Sequence, residues 1–350
     1  MLQRGVGFGA QGVAPWRARF GYRLCRRPTL YKPFRRIERG QSRTRSMRPE
    51  PMSTDRELSW NRDGSDWPNR ETSRFVDVAG LRWHIQEMGQ GPIVLLLHGT
   101  GASTHSWRTF APLLASTFRV VALDLPGHGF TATPERKGLS LSGMARTIGE
   151  LVRAVTGKPS VVVGHSAGAA IMIRMTLDRT IKPRALVSLN GALLPFRGIA
   201  SQLFSPLAKL LVLNPLVPRL FSWRASDRAA VERLIRNTGS KIDPAGVDLY
   251  RRLVSSPGHV ASALAMMANW DLDPLVRDLP KLKVPLLLVA GGEDRAISSG
   301  DAFRVRDHLP AAKVEYLRGL GHLAHEEQPE KIARIVTEFA SSLNIVHSRS

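Results

Sequence analysis

Directly after the apolar run Ser160-Val161-Val162-Val163 the chain reads Gly164-His165-Ser166-Ala167-Gly168, followed by Ala169-Ala170-Ile171. A serine on a sharp turn from a buried strand into a helix projects at the carboxyl edge of a sheet, where its hydroxyl is a candidate nucleophile. Glycines two before and two after it keep side chains out of the crowded bend. A hydroxyl attacks poorly near neutral pH unless a base lies within hydrogen-bond reach and a carboxylate orients that base. In a strand–loop–helix arrangement the partners follow the serine in the order acid, then histidine. Both are present. The apolar run Leu286–Ala290 leads through Gly291-Gly292-Glu293 to Asp294, and Lys313–Leu317 leads through Arg318-Gly319-Leu320-Gly321 to His322. Three reactive groups at the carboxyl ends of three strands point to acyl transfer through a covalent serine intermediate.

Each position has a rival. Glu293 neighbours Asp294, but the shorter carboxylate at the end of the turn is favoured. His325 neighbours His322, but it opens the last helix with Glu326-Glu327-Gln328-Pro329 and is expected to pack or hydrogen-bond there. Asn190, after the strand Ala185–Leu189, is an amide and cannot stabilise an imidazolium as a charge. Negative charge on the attacked carbonyl needs backbone donors: the N–H of Ala167, and one from the loop His98-Gly99-Thr100-Gly101, with Thr100 preferred over Gly101. His98 and the turn Asp124-Leu125-Pro126-Gly127-His128-Gly129 are read as braces between loops. His165, Leu194, Phe196, Leu203, Phe204, Met266 and Trp270 are the expected substrate-binding residues. No phosphate-cradling or dinucleotide fingerprint occurs, no metal site is expected because His98, His128 and His165 lie in different loops, and no cofactor is expected.

The elements that must position these groups alternate. Phe75–Val78 and Arg82–Met88 form a hairpin; Ile93–Leu97, Arg119–Leu123, Val161–Val163, Ala185–Leu189 and Leu286–Ala290 are continuous apolar runs, as expected of strands buried on both faces; Lys313–Leu317 is the edge strand. Helices are expected over Trp107–Ala115, Leu141–Val155, Ala167–Leu177, Ala302–Leu309 and Glu330–Leu343. That alternation predicts an α/β fold, a mostly parallel eight-stranded sheet with helices on both faces. The helical stretch 193–279 interrupts the rhythm just before the strand that precedes the acid loop. It is expected to form a cap over the strand ends, dividing the core into residues 52–192 and 280–345.

The chain has 350 residues and a net charge of +21. Residues 1–50 contribute +11 of it, from 13 Arg and Lys against Glu38 and Glu50. With no hydrophobic periodicity, residues 1–51 are read as a disordered basic extension, with Met52 or Met47 as the expected true start; a nucleic-acid-binding arm and an organelle transit peptide are the alternatives. The single cysteine, Cys25, allows no intrachain disulfide. No apolar stretch is long enough to span a bilayer. From Arg179 to Ser226 there are seven basic residues and no Asp or Glu, beside the greasy run Leu203–Leu213. Packing of cap on core accounts for such leucines; a large apolar ligand carrying carboxylates, or contact with an anionic membrane surface, accounts for them together with the charge.

These features resemble the α/β-hydrolase fold family. Within it the chain is similar to the magnesium-chelatase accessory proteins of bacteriochlorophyll biosynthesis, over about Trp67 to Phe339. The motifs that carry this likeness are Trp67-Pro68-Asn69-Arg70, Leu97-His98-Gly99-Thr100-Gly101-Ala102, Gly164–Gly168, Ser188–Phe196 and Met266–Asp271. The catalytic motifs specify only the superfamily, and the cap segments specify the narrower group. The resemblance implies a role in photosynthetic bacteria near insertion of magnesium into protoporphyrin, a flat apolar ring with two carboxylates. The expectation is therefore a serine hydrolase acting on an ester or related carbonyl compound in tetrapyrrole metabolism. Chelatase subunits are possible partners, nucleic acid is not, and the location is cytoplasmic with or without membrane contact. Two alternatives stand beside it: a porphyrin-binding accessory protein with an unused triad, and cleavage of a C–C bond in a vinylogous diketone. Epoxide and haloalkane hydrolysis are disfavoured, because those reactions need Asp where Ser166 stands.

Overall fold

The computed structural model describes residues 57–195, 214, 216–224 and 227–346. The basic extension 1–51 and three of the expected substrate-binding residues, Phe196, Leu203 and Phe204, lie outside the described residues.

Eight strands form one sheet: β1 (Ser73–Val78), β2 (Leu81–Met88), β3 (Ile93–Leu97), β4 (Arg119–Leu123), β5 (Val161–His165), β6 (Ala185–Leu189), β7 (Leu286–Gly291) and β8 (Lys313–Leu317), in the order β1-β2-β4-β3-β5-β6-β7-β8. β1 pairs antiparallel with β2, and β2 antiparallel with β4; from β4 to β8 every pairing is parallel. The apolar runs of the sequence are the central strands, and their side chains divide by parity as a pleat requires. Leu95, Leu97 and Val162 enter one core cluster, whereas Val94, Leu96, Val161 and Val163 enter the other, on the opposite face. The edge strand β8 is largely exposed and carries Lys313 and Glu315, charges that discourage pairing with a further strand.

Among the described residues the helices are α1 (Trp60–Asp63), α2 (Phe110–Ala115), α3 (Leu141–Val155), α4 (Ala167–Leu177), α5 (Leu216–Arg224), α6 (Arg228–Asn237), α7 (Pro244–Val254), α8 (Pro257–Ala268), α9 (Asp273–Asp278), α10 (Gly300–His308), α11 (Ala324–Glu327) and α12 (Pro329–Ser342). The expected helix over Trp107–Ala115 is instead a 3-10 turn, Thr104–Trp107, followed by α2. Pro112 explains the break: a helix continuous from Trp107 would drive its ring into the carbonyl of Arg108, so the helix restarts at Phe110 and Pro112 falls in its first turn.

Among the described residues, five helices, α5 to α9, stand between β6 and β7. Local chemistry starts most of them. The Asp227 side chain accepts from the Ala229 N–H ahead of α6; Asp243, followed by Pro244, accepts from the Gly246 N–H ahead of α7; and Ser256, followed by Pro257, accepts from the His259 N–H ahead of α8. Residues of α5 to α8 line one side of a cavity whose other side is made by loops at the carboxyl ends of β3, β5, β7 and β8.

Candidate active site

Ser166 stands between β5 and α4 with φ 51° and ψ −115°. A positive φ at a non-glycine residue costs about 1–3 kcal/mol and persists only where the surroundings impose it. Here they do. The Ser166 N–H donates to Leu189 O of β6 at 3.0 Å, and its carbonyl accepts from the N–H groups of Ala169 (3.1 Å) and Ala192 (3.0 Å). The flanking glycines are required by close approach: a Cβ on Gly164 would stand 2.5 Å from the carbonyl carbon of Gly168, and one on Gly168 would strike the backbone oxygens of Leu97 and His98.

Asp294 sits in the loop after β7, its side chain 1% exposed. Its Oδ1 accepts from the N–H groups of Ala296 and Ile297, both at 2.8 Å. Its Oδ2 accepts from His322 Nδ1 at 2.8 Å and from Asn190 Nδ2 at 2.8 Å. His322, after β8, therefore holds its proton on Nδ1 and presents Nε2 elsewhere. The two loops are tied by the Gly292 N–H to Leu317 O at 2.8 Å and the Glu293 N–H to Leu320 O at 2.9 Å. Leu323 N–H donates to Ser240 Oγ at 2.8 Å, which anchors the His322 loop to the inserted helices.

Ser166 and His322 line one cavity of about 600 Å³. No hydrogen bond joins the Ser166 hydroxyl to the His322 ring; in ligand-free hydrolytic sites such contacts are commonly long and tighten around substrate. Thr100 and Ala167 line the cavity beside them. Most of its remaining wall is apolar: Phe221, Leu234, Val254, Val260, Met267 and Trp270 are typical.

Of the expected substrate-binding residues, His165 and Trp270 line the cavity. His165 also has a second contact, as its Nε2 donates to the His322 carbonyl at 2.9 Å. Burial, with the nearby His325 and His322 rings, pushes His165 well below the ordinary histidine range, so it is a neutral strut. Leu194 and Met266 are corrections. Both are buried in the main core cluster and neither reaches the cavity. On α8 the turn of about 100° per residue sends Met267 into the cavity and Met266 to the core, where its sulfur accepts from Thr100 Oγ1 at 3.5 Å.

Several other buried histidines are braces. His98 donates from Nδ1 to Gly99 O at 2.8 Å and accepts the Leu125 N–H on Nε2 at 2.9 Å. Asp124 accepts from His84 Nδ1 (2.8 Å), the Thr104 N–H (2.7 Å) and the Phe130 N–H (2.9 Å). Burial alone would raise the Asp124 carboxyl, but the His84 ring and these donors hold it far below its ordinary value. His325 is fully buried, shares a hydrogen bond of 2.7 Å with Ser106 Oγ, and is pushed down to about 3 by burial and by the charges of His322 and Arg108. Its neighbour Glu326 pairs with Arg108 and accepts from Ser106 Oγ (2.9 Å) and Tyr250 OH (2.7 Å).

Sequence reasoning missed four contributors. Asn190 holds the Asp294 carboxylate and donates to Gly321 O at 3.2 Å; its place at the end of β6 was the available signal. His259 on α8 accepts the Gly129 N–H on Nδ1 and donates from Nε2 to Gly101 O, each at 3.1 Å, and so joins an inserted helix to two core loops. Tyr250 and Arg295 line the cavity. No group of acidic, histidine or cysteine side chains among the described residues is arranged to hold a metal ion.

A family model described as "alpha/beta hydrolase family" matches residues 94–335. The chain belongs to the alpha/beta hydrolase family. It is 36% identical over 277 residues to the magnesium-chelatase 30 kDa subunit of Rhodobacter capsulatus, covering 79% of this chain and 96% of that one. It is 27% identical over 278 residues to the 2-hydroxy-6-oxo-6-(2'-aminophenyl)hexa-2,4-dienoic acid hydrolase of Metapseudomonas resinovorans, covering 77% of this chain and 90% of that one. Among solved structures, a serine hydrolase involved in carbazole degradation superposes with a TM-score of 0.62 at 24% identity, over 77% of this chain and 98% of that one. An epoxide hydrolase superposes with a TM-score of 0.65 at 23% identity, over 78% and 99%. These two likenesses show the fold alone.

Proposed function

We propose that this alpha/beta hydrolase is a serine hydrolase acting on an ester or related carbonyl compound in bacteriochlorophyll biosynthesis, at or near the magnesium chelatase step. The observation that carries the chemistry is the 2.8 Å bond between His322 Nδ1 and a buried Asp294, at the wall of a cavity that also receives Ser166. That bond leaves His322 Nε2 as the acceptor. Ser166 Oγ attacks the carbonyl carbon while its proton passes to His322 Nε2, and the carbonyl electron pair moves to oxygen, where the N–H groups of Thr100 and Ala167 receive it. Collapse expels the alcohol, which takes the proton from His322. Water then enters by the same route and releases the acid and free Ser166.

The metabolic placement rests on the likeness to the magnesium-chelatase 30 kDa subunit, and the apolar cavity under the inserted helices suits a large greasy ligand such as a tetrapyrrole. In this reading α5 to α9 act as the cap, and chelatase subunits are partners. Leu216, Leu220 and Trp223 share one exposed face of α5, whereas Pro218 and Ser222 face inward. That inverted amphipathicity, next to Arg219 and Arg224 in a stretch without acidic residues, supports contact with an anionic lipid surface.

One observation favours a second reading, binding without turnover: the Ser166 hydroxyl has no hydrogen bond to His322. Two measurements decide between them. Under the hydrolase reading a fluorophosphonate labels the wild type and not Ser166→Ala, and Ser166→Ala fails to restore pigment synthesis in a strain lacking the protein. Full restoration by Ser166→Ala would leave the binding reading.

A further inference from the structure

The cavity has one fully charged side chain among its described lining residues, Arg295, and no carboxylate. Apart from Ser166, His322 and the unpartnered Nδ1 of His165, the other polar groups there are committed. Tyr250 OH donates to Glu326, Thr238 Oγ1 donates to Ile235 O at 2.6 Å, and both ring nitrogens of His259 are engaged. Arg295 is different: its guanidinium forms no ion pair with any described residue, whereas those of Arg108, Arg236 and Arg304 do.

Its placement is not that of a wandering surface residue. Arg295 directly follows Asp294, on the turn that Asp294 closes by accepting from the N–H groups of Ala296 and Ile297. Its own N–H donates to Thr238 O at 3.1 Å, at the end of α6. The Arg295 Cγ lies against Gly239, where a Cβ would stand 3.4 Å away. Backbone and stem are therefore held between the acid loop and the inserted helices, and only the planar head is free. The residue is exposed, so the head sits towards the open side of the cavity, while Ser166 and His322 share its wall.

We propose that Arg295 is an anion subsite: it binds a carboxylate carried by an otherwise apolar substrate whose reacting carbonyl lies at Ser166. A guanidinium receives a carboxylate through two parallel hydrogen bonds, which are stronger than bonds between neutral groups and fix its orientation. A neutral substrate of the same shape gains nothing from it. The subsite also sets direction. The carboxylate lies on the acid-loop side, and the apolar body lies along Phe221, Leu234, Met267 and Trp270. The substrate class is thus an amphiphilic ester acid, not a neutral lipid ester.

This inference rests on the hydrolase reading for the word substrate, but not for the subsite itself, so two readouts are needed. The first compares two esters of equal length, the mono-4-nitrophenyl ester of suberic acid and 4-nitrophenyl octanoate, on wild type, Arg295→Gln, Arg295→Lys and Arg295→Glu. Wild type prefers the acid ester. That preference in kcat/KM falls about 10- to 100-fold in Arg295→Gln, the range of a charged hydrogen-bonded pair, is partly kept in Arg295→Lys and is reversed in Arg295→Glu, with the change carried by KM. Equal losses on both esters would mean that Arg295 only tunes Asp294 or His322, and would overturn the proposal, as would no change. The second readout is titration of Ser166→Ala with decanoate and decanol, followed by calorimetry, with and without Arg295→Gln. Binding of decanoate that depends on Arg295, without turnover of either ester by the wild type, would sink the hydrolase reading and keep the subsite. Decanoate binding that is indifferent to Arg295 would sink the subsite.

Discussion

Asp294→Asn is a nearly isosteric change whose consequence follows from four hydrogen bonds. Oδ1 faces two backbone donors, the N–H groups of Ala296 and Ile297, and Oδ2 faces two side-chain donors, Asn190 Nδ2 and His322 Nδ1, every distance being 2.8 Å. An amide must turn its NH2 towards one pair. The backbone N–H groups cannot become acceptors, and leaving them against NH2 strands two donors, that of Ile297 part-buried, at a cost of about 1–3 kcal/mol. The imidazole can adapt, by moving its proton from Nδ1 to Nε2. The NH2 therefore turns to His322, and the ring then offers a donor where Ser166 needs an acceptor. Loss of the correct tautomer in a serine hydrolase lowers kcat by about ten-thousand-fold, roughly 5 kcal/mol of barrier. The assay is turnover of 4-nitrophenyl butyrate, with the rate of fluorophosphonate labelling at Ser166 as a second measure and the melting temperature as a control for folding. Activity within tenfold of wild type in a normally folded Asp294→Asn protein would refute the claim that this carboxylate sets the state of His322.

Other outcomes follow from packing and charge. In Gly168→Ala the new methyl meets the backbone oxygens of Leu97 and His98, which cannot move without shifting β3; a loss of about 3 kcal/mol in urea unfolding is expected, and a neutral result would contradict the packing at the bend. His259 is pushed down to about 4, chiefly by burial. Unfolded histidine takes its proton near pH 6.5 and folded His259 only near pH 4, so unfolding consumes a proton between these values, and stability falls as the pH falls through that window. Wild type should lose about 2 kcal/mol more than His259→Gln between pH 7 and pH 5, and parallel pH profiles of the two would show that the ring is not buried in its neutral form. Leu220, exposed on α5, should carry part of the lipid contact; Leu220→Asp should weaken co-sedimentation with vesicles of phosphatidylcholine and phosphatidylglycerol, and wild type that stays in the supernatant would remove that contact from the proposed function.

The sheet was legible in the linear chain because its central strands are buried on both faces, so that Ile93–Leu97, Val161–Val163 and Ala185–Leu189 read as unbroken apolar runs, and because glycine spacing marks the bend at Ser166. The places of Asp294 and His322 were legible for a related reason: chain order and strand ends are one-dimensional information once a parallel sheet is inferred. The contents of the cavity were not. Met266 and Met267 are adjacent in sequence and equally apolar, yet only Met267 reaches the cavity, because the rotation of α8 is set by what it packs against. Asn190 and Asp294 lie 104 residues apart, and their bond exists only because β6 and β7 are neighbours. Local pattern determines which groups stand at strand ends; strand order and helix rotation decide which of them meet, since contacts between distant segments depend on the packed arrangement of the whole sheet.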